Sequence, residues 1–133
     1  MSDWLAIGPK ENWELGIKRG IWGSTERYYN AWDKVKKDDL VFFYVTKPIK
    51  AIVGYGAVKT KTRATKPFWQ QEIKDGEVLW PLQLKFDVVK LIPLNQWEYK
   101  GIPLPPLSEG IVRQSAFQML KDKTAKGIIK KFK

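Results

Sequence analysis

The chain has 133 residues, of which 44% are hydrophobic and 29% charged, and its 24 Lys and Arg against 14 Asp and Glu give a formal net charge of +10. That length suits a single domain with one core, spanning residues 1–133, and that apolar content is too high for a disordered chain. Cysteine and histidine are both absent, which excludes disulfides, thiolate nucleophiles and sulfur-ligated zinc, and removes the usual general base.

Trp4 to Ile7 reads as a short buried strand. Gly8-Pro9 then opens a helix that places Trp13 and Ile17 on one face and stops at Gly20, after Lys18-Arg19. Ser24 or Thr25 caps a second helix, in which Tyr28, Ala31, Trp32 and Val35 follow the i, i+3, i+4, i+7 pattern. Leu40–Val45 and Ala51–Val58, separated by Pro48, predict a hairpin in a mostly antiparallel sheet. From Trp80 onward Leu82, Leu84, Phe86 and Val88 alternate with Gln83, Lys85 and Asp87. The phase slips at Val88-Val89, which predicts a β-bulge that keeps one face buried. Asn95–Leu107, rich in Pro, reads as a surface loop. Ser115 with Gln118 predicts a capping box that opens a helix through Phe117 and Leu120. Ala125, Ile128, Ile129 and Phe132 make a last helical stripe. The expected fold class is α+β: a curved, largely antiparallel sheet or open barrel with helices packed beside it.

The equipment of an enzyme is missing from this sequence. Ser24, Ser108 and Ser115 have no imidazole to activate them, which leaves only a lysine as base, and the adjacent Asp38-Asp39 pair points to opposite faces of a strand. Gly54-Tyr55-Gly56 lacks the third glycine of a dinucleotide fingerprint. No metal, cofactor or catalytic activity is expected. No stretch reaches the length of a membrane span and the N-terminus lacks the pattern of a signal peptide, so the expected compartment is the cytoplasm and the expected state a monomer.

What the sequence does supply is positive charge and seven tryptophans, the combination expected of a protein that meets nucleic acid. Trp22 lies between small residues, where it either receives a flat ligand or plugs the core. Phe68-Trp69 and Trp80-Pro81 stand at strand ends, with core packing the simpler role. Arg113 precedes the Ser115 cap and either holds a phosphate or bonds a loop carbonyl. Lys59, Lys61, Arg63 and Lys66, and the lysines from Lys121 to Lys133, are either a solvated face or a phosphate track.

The order Trp4, Asn12-Trp13, Gly20, Trp22-Gly23, Asn30, Trp32, Val35-Lys36, Asp39, Val41, Tyr44-Val45, Gly54, Trp80-Pro81 and Gly110 to Arg113 resembles the EVE domain family. Gly20 to Glu26 is also similar to the corresponding stretch of the related YTH domains. The resemblance implies a PUA-like open β-barrel with flanking helices, and a nucleic-acid partner, DNA or RNA, carrying a modified base. It implies that Trp22 and Trp80 wall an aromatic cage, that Asn12 contacts the base edge, and that Trp13 and Ser24 line the mouth. Arg113 becomes a phosphate ligand, joined by Lys59, Lys61 and Arg63 if they flank the cage. Leu82 and Gln83 depart from the aromatic and arginine that the family often carries after Trp80-Pro81. Two other readings stay open: a plain RNA-binding module indifferent to modification, and a pocket for a free nucleobase or nucleotide.

Overall fold

Six strands form one strongly curled sheet, a half-barrel, in the order β2-β5-β4-β3-β1-β6. The computed structural model describes residues 1–104 and 115–132. In chain order the elements are β1 (Asp3–Gly8), α1 (Lys10–Arg19), β2 (Ile21–Ser24), α2 (Tyr29–Lys34), β3 (Leu40–Val45), β4 (Ala51–Arg63), α3 (Gln70–Asp75), β5 (Leu82–Leu91), α4 (Trp97–Lys100), β6 (Phe117–Leu120) and α5 (Asp122–Lys131). β1 and β3 run parallel, from Asp3 opposite Leu40 to Gly8 opposite Val45. The other strand pairs are antiparallel. This is the PUA-like α+β open barrel expected from the sequence.

The continuous apolar runs of β1 and β3 follow from burial on both faces. Trp4, Ala6, Val41 and Phe43 point into the barrel, where they meet Val53, Val58, Leu84, Phe86 and Phe117. Leu5 and Phe42 point outward and are covered, with Ile52 and Tyr55, by Ala125 and Ile128 of α5. α1 ends where expected: Gly20 takes a left-handed conformation (φ 68°), and its N–H bonds back to the Gly16 carbonyl. A side chain there would be strained, which is why a glycine closes the helix.

Four expectations are corrected. Ser115 does not cap a helix. Gln118 instead donates to the Ser115 carbonyl, and Phe117–Leu120 is strand β6, antiparallel to β1 with Ala6 opposite Phe117. The edge of β1 needed a partner, and that non-local demand outweighed a local capping signal. The bulge at Val89 is present, since Gly56 pairs with Val88 and Tyr55 with Lys90. It keeps no face buried, however: Val88, Val89 and Leu91 are all exposed where β5 runs out beyond the core. Residues 95–104 are not irregular throughout. A 3-10 turn (Leu94–Gln96) leads into α4, Trp97 is buried, and Ile102 bridges to Ile52. Trp22, expected in a loop, lies within β2 opposite Leu84.

Candidate nucleic-acid interface

Among the described residues β2 and β6 are the two edges of the half-barrel, and they do not pair with each other. A cavity of about 120 Å³ occupies the seam between them. Ile7, Gly8 and Pro9 line it from the end of β1, Asn12 from α1, Trp22 to Thr25 from β2, and Ala116 from the segment leading into β6. Tyr28, Trp69 and Trp80 complete the wall. A side-chain hydrogen bond spans the seam: the Ala116 N–H donates to the Tyr28 hydroxyl oxygen at 3.0 Å, which leaves the Tyr28 proton available to a ligand. The cavity is smaller than the roughly 300–1,000 Å³ pockets that enclose whole drug-sized ligands, so its scale is that of a single flat ring.

Among the described residues the lining carries no charged side chain. Its polar groups are Asn12, Ser24, Thr25 and Tyr28. Asn12 and the buried Ser24 make no side-chain hydrogen bond to the protein among the described residues. Trp22 is held by stacking, with its ring 3.6 Å from that of Trp13 and 10° from parallel, and Trp69 meets it edge-on at 5.5 Å. Gly8 is a glycine because a Cβ there would stand 2.3 Å from Trp22 Cη2.

The seven tryptophans divide by what their indole N–H does. Trp4 donates to Asp39, Trp13 to the Tyr44 carbonyl, Trp32 to the Gln83 carbonyl and Trp97 to the Ile92 carbonyl, at 2.7–3.1 Å. Trp22, Trp69 and Trp80, the three that line the cavity, donate to no protein acceptor among the described residues. For Trp69 that donor is also buried from solvent. Buried donors are normally paired, so this pattern separates tryptophans fixed for the fold from tryptophans left open at the site. Asp39 shows how firmly the first group is held. Burial pushes its carboxyl up, but hydrogen bonds from the Ser2 N–H, the Trp4 indole and the Lys36 N–H outweigh this and hold it below the usual carboxylate range. Asp3 nearby moves the opposite way, raised by burial and by the charges of Asp122 and Asp39.

The structure brings Asn12, Trp22, Ser24 and Trp80, which the family resemblance grouped, to one cavity. Trp13 is not at the mouth: it is wholly buried and backs Trp22. Lys59, Lys61 and Arg63 lie on β4, outside the lining, and each has a protein partner. Lys59 pairs with Asp87 at 3.4 Å and Arg63 with Glu26, while Lys61 donates to the Trp32 and Asp33 carbonyls. Lys61 also sits 4.9 Å from the centre of the Trp32 ring, which is only partly buried rather than core. Arg113 lies outside the described residues. Sequence reasoning missed Trp69 and Tyr28 as cavity walls. It assigned Trp69 to core packing and Tyr28 to a helical apolar face, and neither position announces a cavity that five separate segments assemble.

No family model matches the chain. A UPF0310 protein of Pyrococcus abyssi is 30% identical over 115 residues, covering 80% of this chain and 75% of that protein. The chain belongs to the UPF0310 family. Among solved structures, this UPF0310 chain is similar to Rpa0253 from Rhodopseudomonas palustris, at TM-score 0.65 and 13% identity over 99% of this chain and 93% of that one. It is equally similar to the YTH domain-containing protein mmi1 in complex with RNA, at TM-score 0.65 and 10% identity over 98% of this chain and 80% of that one. At such identities the likeness is one of fold.

Proposed function

We propose that this UPF0310 protein is an EVE-type nucleic-acid-binding module that takes one unstacked, modified base into the seam cavity and catalyses no reaction. The observation that carries the reading is the wall itself: three tryptophans whose indole N–H groups, like the Asn12 and Ser24 side chains, have no hydrogen-bond partner among the described residues, around a ring-sized space. The RNA complex of a YTH domain with the same fold supports a nucleic-acid partner. Withdrawing a base from its stack costs a few kcal/mol, and stacking on an aromatic wall returns roughly 1–3 kcal/mol. A methyl group buried against indole adds about 0.8 kcal/mol. Stronger discrimination then falls to Asn12 and Ser24, which would be left unpaired by the wrong base edge. Affinity for the strand comes from surface cations, with Arg113 a proposed phosphate ligand. The module works in the cytoplasm, as a monomer and without a cofactor.

The deciding experiment measures binding of a panel of DNA and RNA oligonucleotides, methylated and unmethylated, alongside the free nucleosides. Tighter binding of one methylated strand than its unmethylated twin is expected. Equal binding across the panel would leave a plain RNA-binding module, and equal affinity for nucleoside and strand would leave a small-molecule pocket.

A further inference from the structure

Glu72 is the most completely buried carboxylate in the described structure, with no exposed surface, and no cation pairs with it. Its partners are four backbone N–H groups. One oxygen accepts from Phe68 and Trp69 at 2.8 and 3.0 Å, and the other from Leu79 and Trp80 at 2.8 and 2.9 Å. The first pair enters α3 and the second leaves the turn that follows it, so one side chain ties together two segments ten or more positions apart. Two of the four donors belong to Trp69 and Trp80, both cavity walls. Neither of those indoles is anchored through its own N–H, in contrast to Trp4, Trp13, Trp32 and Trp97.

We infer that Glu72 is the positioning residue of the cage: it sets the separation of Trp69 and Trp80 from the backbone side. This rests on the function proposed above only for its consequence in binding. A carboxylate suits the task because its two oxygens offer four acceptor sites and no donor. Glutamine, of nearly the same shape, keeps one oxygen and turns an NH₂ toward two N–H donors, so it releases one of the two segments. Holding the clamp in the backbone leaves the indole N–H of both rings without a protein acceptor among the described residues, and so open to a ligand that enters the cavity.

Two measurements test this. In the wild-type protein, amide hydrogen exchange at Phe68, Trp69, Leu79 and Trp80 is expected to slow together as one unit; unrelated rates at the four sites would overturn the inference, whatever becomes of any variant. In Glu72→Gln, the indole N–H resonances of Trp69 and Trp80 are expected to shift while those of Trp4, Trp13, Trp32 and Trp97 stay in place. Unmoved Trp69 and Trp80 signals in a folded variant would overturn it too, and so would equal movement of all seven. With a single-stranded oligonucleotide carrying one methylated adenine as probe, Glu72→Gln should bind about tenfold more weakly, the scale of one stacking contact. Its salt-dependent affinity for the unmethylated strand should not change, an outcome that general destabilisation would not give. If the wild-type protein fails to prefer any methylated strand, the proposed function falls, and the exchange and resonance data still decide the role of Glu72.

Discussion

Gly8→Ala tests the geometry of the cavity with a single methyl group. The added Cβ would stand 2.3 Å from Trp22 Cη2 and 2.6 Å from Cζ2, where carbon atoms prefer about 3.5–4.0 Å. More than about 1 Å of movement is therefore required. β1 cannot supply it readily, because Gly8 pairs with Val45 of β3, its carbonyl accepts from the Thr46 N–H, and the neighbouring Ile7 N–H donates to the Ala116 carbonyl. Nor can Trp22 retreat toward Trp13, already in stacking contact behind it at 3.6 Å. The ring must tilt into the cavity or part from its neighbours. Overpacking of this kind costs about 1–3 kcal/mol, or roughly 3–5 °C in Tm for each kcal/mol in a domain of this size. The expected result is a folded protein with Tm lowered by about 3–15 °C and binding of the methylated strand reduced at least tenfold. Thermal unfolding and fluorescence anisotropy read the two effects separately. A variant with unchanged Tm and unchanged affinity would refute the placement of Trp22 between Gly8 and Trp13.

Trp80→Ala should lose roughly 1–3 kcal/mol of affinity for a methylated strand and keep the fold, since the Trp80 ring is partly exposed and its indole N–H has no acceptor among the described residues, while its backbone bond to Glu72 survives the change. Trp22→Ala should cost about 3–5 kcal/mol of stability as well; denaturant titration beside binding tells them apart, and equal destabilisation would contradict the structure. Asp39, with its carboxyl held below the usual range, contributes stability that is full above its unfolded value near 3.8 and is lost as pH falls through the lower folded value. Asp39→Asn should flatten that acid limb of a Tm–pH profile and lower Tm at neutral pH; an unchanged acid limb would deny Asp39 this role. Lys61→Met should lower stability, by removing a donor to two carbonyls at the end of α2, and leave oligonucleotide affinity and its salt slope unchanged. A reduced slope would make Lys61 a phosphate ligand after all.

The parts of the fold that were legible in the sequence are those specified locally. Leu40–Val45 and Trp4–Ile7 read as strands because both faces are buried, and Gly20 marked the end of α1 because a left-handed residue closes it. The Ser115 pattern misled because β6 exists to complete β1, a pairing across more than a hundred residues that no local signal records. Val88 and Val89 carry strand character, yet the core ends before them, and where a core ends is decided by the curl of the sheet. At the site, Trp22, Trp80, Asn12 and Ser24 were legible through resemblance. Trp69 was read as packing because its partners, Trp22 and Glu72, meet it only once β2 and α3 converge.

The seam has a mechanical consequence. Because β2 and β6 share no ladder, the gap between them can widen through a small change in sheet curvature, with every strand-to-strand hydrogen bond intact. The Tyr28–Ala116 bond is the side-chain latch across that gap. Opening of that gap is then an elastic deformation of a curved sheet, spread over many shallow backbone torsions.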